Sequence, residues 1–503
     1  MPEKDPVKEL STALSQARIL LAADVDASVL KGLDLNTLVT ELVELHKNDA
    51  GISIANKEQI LAIAEETKLE KSPRPVEVLR QSGFSAAAAD IDSDYHINQR
   101  GIETTGGTAN DFVDYFRNRF DRLREAVVGR RVNLFLLPSI DSTRSYTSGR
   151  EVAVVGMVST KSNSKAGNLK IVLEDETGEL IVVVSNGTSK TSQELFETAK
   201  RLVEDDVVAI KGKLVGRLLI ANEIIWPDVP IKEPKTIEDD IAIAFMSDIH
   251  VGSKQFMEKN FSKMLKWLNG EAQGKSDDLA GKIKYIIIAG DVADGVGVYP
   301  DQEYELAIPD IYLQYRQLFS FMELIPDYID IFMMPGNHDA VGRAEPQQPI
   351  GEELSKDFKI DNLHIVSNPC YITVHGVEVL AYHGTSLDSI IRAVPGTNYS
   401  SPEKAMIELL KRRHLSPIYG GNVIVPSKTD QLVIDKIPDV LHMGHIHKNA
   451  IAEYHGVKIV NSGTWQGMTK LQQRMGHNPT PCRLPVYEPK TGNFSTINFD
   501  TGM

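Results

Sequence analysis

Five short apolar runs, each closed by a side chain that binds metal ions, set the tightest limit on how this chain can fold. Residues 241–246, 285–289, 329–334, 377–381 and 440–443 are rich in β-branched and large apolar side chains. Runs of this kind with no polar face suit strands covered on both sides. Helical periodicity over 256–268 and 311–325 separates the first three, which predicts α/β layering. Just past the strand ends stand Asp248-Ile249-His250, Gly290-Asp291, Gly336-Asn337-His338-Asp339, His383-Gly384 and Gly444-His445-Ile446-His447. Ligands of open α/β sheets gather beyond the carboxyl ends of the strands, so the five strings are expected to meet there.

Each string offers a distinct donor. Asp248 and His250 are two apart, so on an extended chain they face the same way and can chelate one ion; His445 and His447 repeat the spacing. Asp291 follows a glycine that permits a sharp turn, and its two oxygens can bridge two cations. Asn337 offers an amide oxygen, and His338 beside it can serve as a proton donor. His383 alone fits a buried, hydrogen-bonded core histidine as well as it fits a ligand, while His442 alternates with neither neighbour and points into the sheet layer. Oxygen and nitrogen donors without thiolate suit manganese, iron, zinc or magnesium rather than a structural zinc cage.

At 503 residues the chain is expected to hold more than one domain. Residues 1–66 carry helical spacing, with Leu10, Leu14, Ala17, Leu20 and Leu21 followed by Leu38, Leu42 and Leu45, and predict a small helical module. Residues 67–110 lack periodicity and contain Pro73, Pro75 and Gly106-Gly107, which predicts a mobile linker. An amphipathic helix is predicted over 111–131, with its arginines solvated. Strands at 151–158, 169–174, 180–184, 207–214 and 218–225, with a helix at 192–202 and a tight turn at Asp175-Glu176-Thr177-Gly178, match a Greek-key barrel of the oligonucleotide-binding type. Its strands carry few aromatics, so partner docking suits it at least as well as single-strand binding. The tail 471–487 is suited to contacting a larger partner.

A formal net charge of −15 argues against a free-standing DNA-binding protein but not against a nuclease, because two bound dications supply local positive charge. Two cysteines, Cys370 and Cys482, have no metal-type neighbours. With no signal peptide and no apolar run approaching ~20 residues, a cytoplasmic compartment without membrane contact is expected.

The order D-x-H, G-D, G-N-H-D, H-G, G-H-x-H resembles the complete signature of the calcineurin-like metallophosphoesterases. A barrel followed by such a domain resembles the B-subunits of replicative DNA polymerases. With every ligand retained, the chain is most similar to the small subunits of archaeal family-D DNA polymerases. The resemblance runs from Asp111 to the C-terminus and is supported by strings such as Arg412-Arg413-His414-Leu415 and Gly463-Thr464-Trp465-Gln466. It implies a multidomain α/β chain: a helical module (1–66), a linker (67–110), a helix plus OB-fold β-barrel (111–235) and a calcineurin-like α/β/β/α phosphoesterase sandwich (236–503). It further implies one metal on Asp248, His250, Asp291 and His447 and a second on Asp291, Asn337, His383 and His445, with Asp291 bridging. Manganese is the first choice, with iron, zinc and magnesium compatible.

Under the same resemblance His338 is the candidate general acid, with Asp339 orienting its ring and raising its pKa; a rival role for His338 is holding substrate phosphate. Arg412, Arg413 and His414 are placed to reach phosphates, unless they form a solvated helix end, and Trp465 either lines the crevice or packs. The implied function is a proofreading 3′→5′ exonuclease acting on single-stranded or mismatched DNA 3′ ends. Its implied partners are a large catalytic polymerase subunit, in a heterodimer or larger complex, and a sliding clamp. Two readings from other classes compete. A non-catalytic assembly scaffold has no use for the ligands, and a stand-alone metallophosphatase has none for the barrel.

Overall fold

The computed structural model describes residues 84–99, 101–129, 136–271 and 277–500, with scattered positions among the first 63. The chain divides into two compact units, residues 1–79 and 80–503. In the first, Leu10, Leu14, Leu38, Leu42, Ile60 and Ile63 occupy helical positions and are buried together. Leu20 and Leu21 depart from the predicted helix, because Ile19–Leu21 pairs as a short parallel strand with Ser53–Ala55. Residues 67–83 of the expected linker lie outside the described residues.

The remainder of that linker, residues 84–110, is corrected by the second unit, where it is tied down. Tyr95–Asn98 forms an antiparallel edge strand against Cys370–Val374. The Asp94 N–H donates to the Tyr285 hydroxyl at 2.9 Å, and Tyr95 sits edge-on to Phe332 with ring centroids 5.3 Å apart. A strand of four residues that buries little side-chain surface leaves no hydrophobic period to read. Its backbone ladder holds it instead.

Ala109–Val128 is the predicted amphipathic helix, opened by a capping box between Thr108 and Asp111. Glu151–Asn163, Leu169–Asp175, Gly178–Val184, Val207–Val215 and Leu218–Ile225 close into a five-stranded barrel, with Glu151–Asn163 pairing Val207–Val215 to complete the ring. Alternate residues such as Leu169, Ile171 and Leu173 fill its interior, and Lys190–Lys200 plugs it with Phe196 and Ala199.

Two six-stranded sheets follow. The first runs Leu363–Ile365, Asp330–Met334, Ile283–Ala289, Ala242–Met246, Arg483–Glu488, Asn493–Asn498. The second runs Asn449–Tyr454, Val457–Ser462, Val440–Met443, Val377–Ala381, Cys370–Val374, Tyr95–Asn98. Ile243, Phe245, Ile287 and Phe332 from one sheet pack on Ile372, Val379, Val440 and Val460 from the other. The outer faces are covered by helices: Glu258–Leu268 and Ile311–Met322 on the first sheet, Leu387–Ala393 and Pro402–Arg412 on the second. The order is helix, sheet, sheet, helix, and burial on both faces explains the uninterrupted apolar strands. The tail expected to reach a partner is built into this body, since Val486 and Tyr487 pair with Ala244 and Ile243.

A buried ionic network joins the helix Ala109–Val128 to the sandwich. Arg119, 1% exposed, meets Asp430 at 2.6 Å and donates to the Pro417 carbonyl at 2.7 Å. His414 Nε2 lies 2.7 Å from the same carboxylate, while the Ser416 N–H donates to His414 Nδ1 at 2.9 Å. That pattern leaves no room for a second ring proton, and burial together with the Arg119 charge pulls the His414 pKa down to about 4. A histidine held neutral contributes stability above its unfolded value near pH 6.5 and loses it as pH falls towards 4, because the unfolded chain takes up the proton first. Urea denaturation at pH 7 and pH 5 is therefore expected to show a drop that is smaller in His414→Gln, by about 1–2 kcal/mol.

Candidate metal centre

Beyond the strand ends the five strings converge. His447 Nε2 lies 3.1 Å from both Asp248 Oδ1 and His250 Nε2, and His250 Nε2 is 3.9 Å from Asp291 Oδ2. On the other side of Asp291, Oδ2 is 3.3 Å from His383 Nε2, which is 3.1 Å from Asn337 Oδ1. A ligand atom of His445 joins Asp291 and His383 within 4.8 Å. All seven predicted ligands are thus brought together in two groups that share Asp291. Donor atoms about 3.0–3.5 Å apart are what ligands about 2.0–2.2 Å from a common ion subtend.

The groups fit divalent cations by a further test. Asp248 Oδ1 is buried and takes no hydrogen bond among the described residues. Four histidines turn one ring nitrogen away from the centre: His383 Nδ1 onto the Ala289 carbonyl at 2.8 Å, His447 Nδ1 onto the Gln472 amide at 2.8 Å, His445 Nε2 onto Asp388 at 3.4 Å, and His250 Nδ1 to 3.0 Å from Asp294 Oδ1, an ion-pair distance without hydrogen-bond geometry. Carboxylate and carbonyl partners of this kind, on His250, His383 and His445, set tautomer and ring direction in metal sites, whereas Gln472 presents its amide nitrogen and fixes only the direction of the His447 ring. Charge crowding agrees. Burial opposes ionisation of Asp291, yet His383, His338 and His250 hold its carboxyl well below the usual range. Burial likewise works against protonated His383, but Asp291 beside it raises its pKa to about 10.

The backbone departs from the extended geometry expected of the D-x-H and H-x-H pairs. Asp248, His250, Asp291, His445 and His447 all have φ between 50° and 65°, the left-handed region. The strand ends turn sharply and aim both side chains inward by backbone twist rather than by alternation. The neighbouring glycines make room. A Cβ on Gly336 would fall on Asp291 Oδ1, and one on Gly444 on Asp248 Oδ2.

His338 stands at the cleft with Nδ1 2.8 Å from the Asp294 carbonyl and Nε2 4.0 Å from Asp291 Oδ2. Burial lowers its pKa. Asp339 does not orient that ring, which corrects the expected role. Its carboxylate instead accepts from the N–H groups of Val292, Ala293 and Gly336 and from the Tyr315 hydroxyl, tying two ligand-bearing loops together. Burial and the Asp291 charge push its pKa to about 6.

The expected substrate contacts lie elsewhere. Arg412 is buried against Asp206 and Glu408, Arg413 donates to the Ile434 carbonyl, and His414 belongs to the Arg119–Asp430 network. Trp465 packs edge-on to Phe261, while its neighbour Gln466 does line the cleft. Sequence reasoning missed Asp294, Asp388, Tyr299, Gln472 and His477 at this cleft. Asp294, three residues past Asp291, was the most accessible of these. The rest reach the centre from loops and a short helix that carry no metal-binding string.

Known proteins match both parts of the second unit. Residues 243–451 match the family of DNA polymerase alpha/epsilon B-subunits, and residues 152–224 match the OB-fold nucleic acid binding domain. The DNA polymerase II small subunit of Archaeoglobus fulgidus is 44% identical over 391 residues, spanning 77% of each chain. Its counterpart in Methanocaldococcus jannaschii is 41% identical, covering 79% of this chain and 68% of that one. The Methanothermobacter thermautotrophicus protein of the same description is 39% identical, over 80% and 82% respectively. No helix among the described residues is long and apolar enough to cross a membrane.

Proposed function

The chain belongs to the DNA polymerase II small-subunit family, and from that premise we propose that, beside a large catalytic subunit, it is a metal-dependent 3′→5′ exonuclease that proofreads DNA. The observation that carries this reading is the convergence of Asp248, His250, Asp291, Asn337, His383, His445 and His447 with each histidine braced from behind. The helix–sheet–sheet–helix order supports a calcineurin-like phosphoesterase domain, and a donor set of imidazole, carboxylate and amide oxygen suits manganese, iron, zinc or magnesium.

Two cations in such a site supply an acidified water and neutralise charge on the phosphoryl oxygens. Asp248, His250 and His447 would hold one, Asn337, His383 and His445 the other, and Asp291 both. The chain's own residues do the rest. The Asp294 carbonyl fixes the His338 ring so that Nε2 faces the cleft. The phosphate anion entering beside it favours the imidazolium form, which then delivers its Nε2 proton to the departing 3′ oxygen. Asp339 and Tyr315 keep the Asp291 and Asn337 loops in register.

Incubating the purified chain with manganese and DNA bearing a mismatched, recessed 3′ end is expected to shorten the strand stepwise from that end. Turnover of an aryl phosphate with the DNA left intact would make the protein a phosphatase. Turnover of neither would leave an assembly scaffold.

A further inference from the structure

On the exonuclease reading a chain of net charge −15 must grip a polyanion somewhere, and Arg412, expected to do so, is closed in by Asp206 and Glu408. Several surface cations are neutralised as well: Arg117 by Glu176, Arg122 by Asp435, Lys458 by Glu453. Among the cations next to the cleft, three rest on backbone carbonyls. Arg343 donates to the carbonyls of Gly297 and Val298 at 3.4 and 3.3 Å, beside the cleft-lining Tyr299. Arg392 Nε donates to the backbone carbonyl of Asp388, another lining residue, at 3.0 Å. Lys448 follows the ligand His447, and its ammonium is 3.4 Å from the Asn478 carbonyl, next to the lining His477.

None of the three has a carboxylate within ion-pair distance among the described residues. A backbone carbonyl steadies the head of such a side chain without cancelling its charge, so each is a cation held next to residues that line the cleft. Lys254 is set apart from them, because its ammonium rests on the Tyr304 carbonyl between Glu303 and Glu305.

We propose that Arg343, Arg392 and Lys448 form a phosphate track around the cleft, holding the backbone of the DNA strand whose 3′ end enters it. The proposal rests on the exonuclease reading and names the residues that would give this site its hold on a polynucleotide. Phosphate contacts of this kind position a strand without reading its sequence.

The test is a triple variant of the full chain, Arg343→Glu, Arg392→Glu and Lys448→Glu. A control of equal charge change, Lys356→Glu, Lys359→Glu and Lys490→Glu, alters loops away from the ligand-bearing strand ends. Binding of a fluorescent single-stranded oligonucleotide is followed by anisotropy in chelator over a series of potassium chloride concentrations. The track variant is expected to weaken binding about tenfold or more, and to flatten the log–log salt slope by about 2, at roughly 0.7 per phosphate contact on a single strand. With manganese present, KM for the 3′-tailed DNA should rise while kcat is retained. Equal behaviour of track and control variants would overturn the proposal. A parent chain that binds DNA through these residues yet leaves its 3′ end intact would overturn the exonuclease reading and keep the track.

Discussion

Asp291→Ala is expected to abolish manganese-dependent hydrolysis, with a fall in rate of about a thousandfold or more, equivalent to roughly 4 kcal/mol. No other residue lies in both groups: its Oδ2 is within 4 Å of His250, His338 and His383. Its removal takes a ligand from each site at once, so manganese uptake measured by calorimetry should fall with the rate. His338→Ala provides the contrast. That ring is braced by a backbone carbonyl, so its loss should slow hydrolysis and leave manganese uptake close to that of the parent chain. Loss of uptake in the second variant would make His338 a ligand rather than a proton donor. Folding is expected to persist in both, because the centre crowds two buried carboxylates, Asp248 and Asp291, and neither variant opens the apolar layers.

Arg119→Ala should damage stability instead of chemistry, by about 3–5 kcal/mol in urea denaturation. The guanidinium is wholly buried, touches Asp430, Pro417 and Tyr115, and lies over the Phe116 ring at 5.4 Å. Without it the Asp430 carboxylate stays buried with His414 and the Leu432 N–H as partners. An uncompensated buried charge dominates the loss, so adding Asp430→Asn should recover part of it. A double variant less stable than Arg119→Ala alone would show that the damage is lost packing and not a stranded charge.

The sheets and ligands were legible for one reason. Strands covered on both faces must be apolar throughout, and that pattern survives in a single sequence, so 377–381 and 440–443 were read with the bounds they have. The ligand strings follow immediately, within the reach of local pattern. Tyr95–Asn98 was missed because an edge strand held by backbone bonds has no period, and the 483–488 strand because a Pro-containing run between loops reads as tail. Arg412 was misjudged because charge alone does not tell a solvated cation from one closed in by Asp206 and Glu408. Partners from distant segments, Asp388 and Gln472 among them, depend on tertiary proximity that no local motif records.

Five of the seven candidate ligands hold a left-handed backbone. At roughly 1 kcal/mol apiece for non-glycine residues, softened for Asp and His, this amounts to a few kcal/mol withheld from folding. That sum is a sizeable part of the roughly 5–15 kcal/mol by which an ordinary domain stays folded. A descendant released from hydrolysis would find glycine or asparagine at these five places thermodynamically downhill. Loss of the proposed hydrolysis would then make the body sturdier, and a lineage without it could become an architectural subunit without crossing an unstable intermediate.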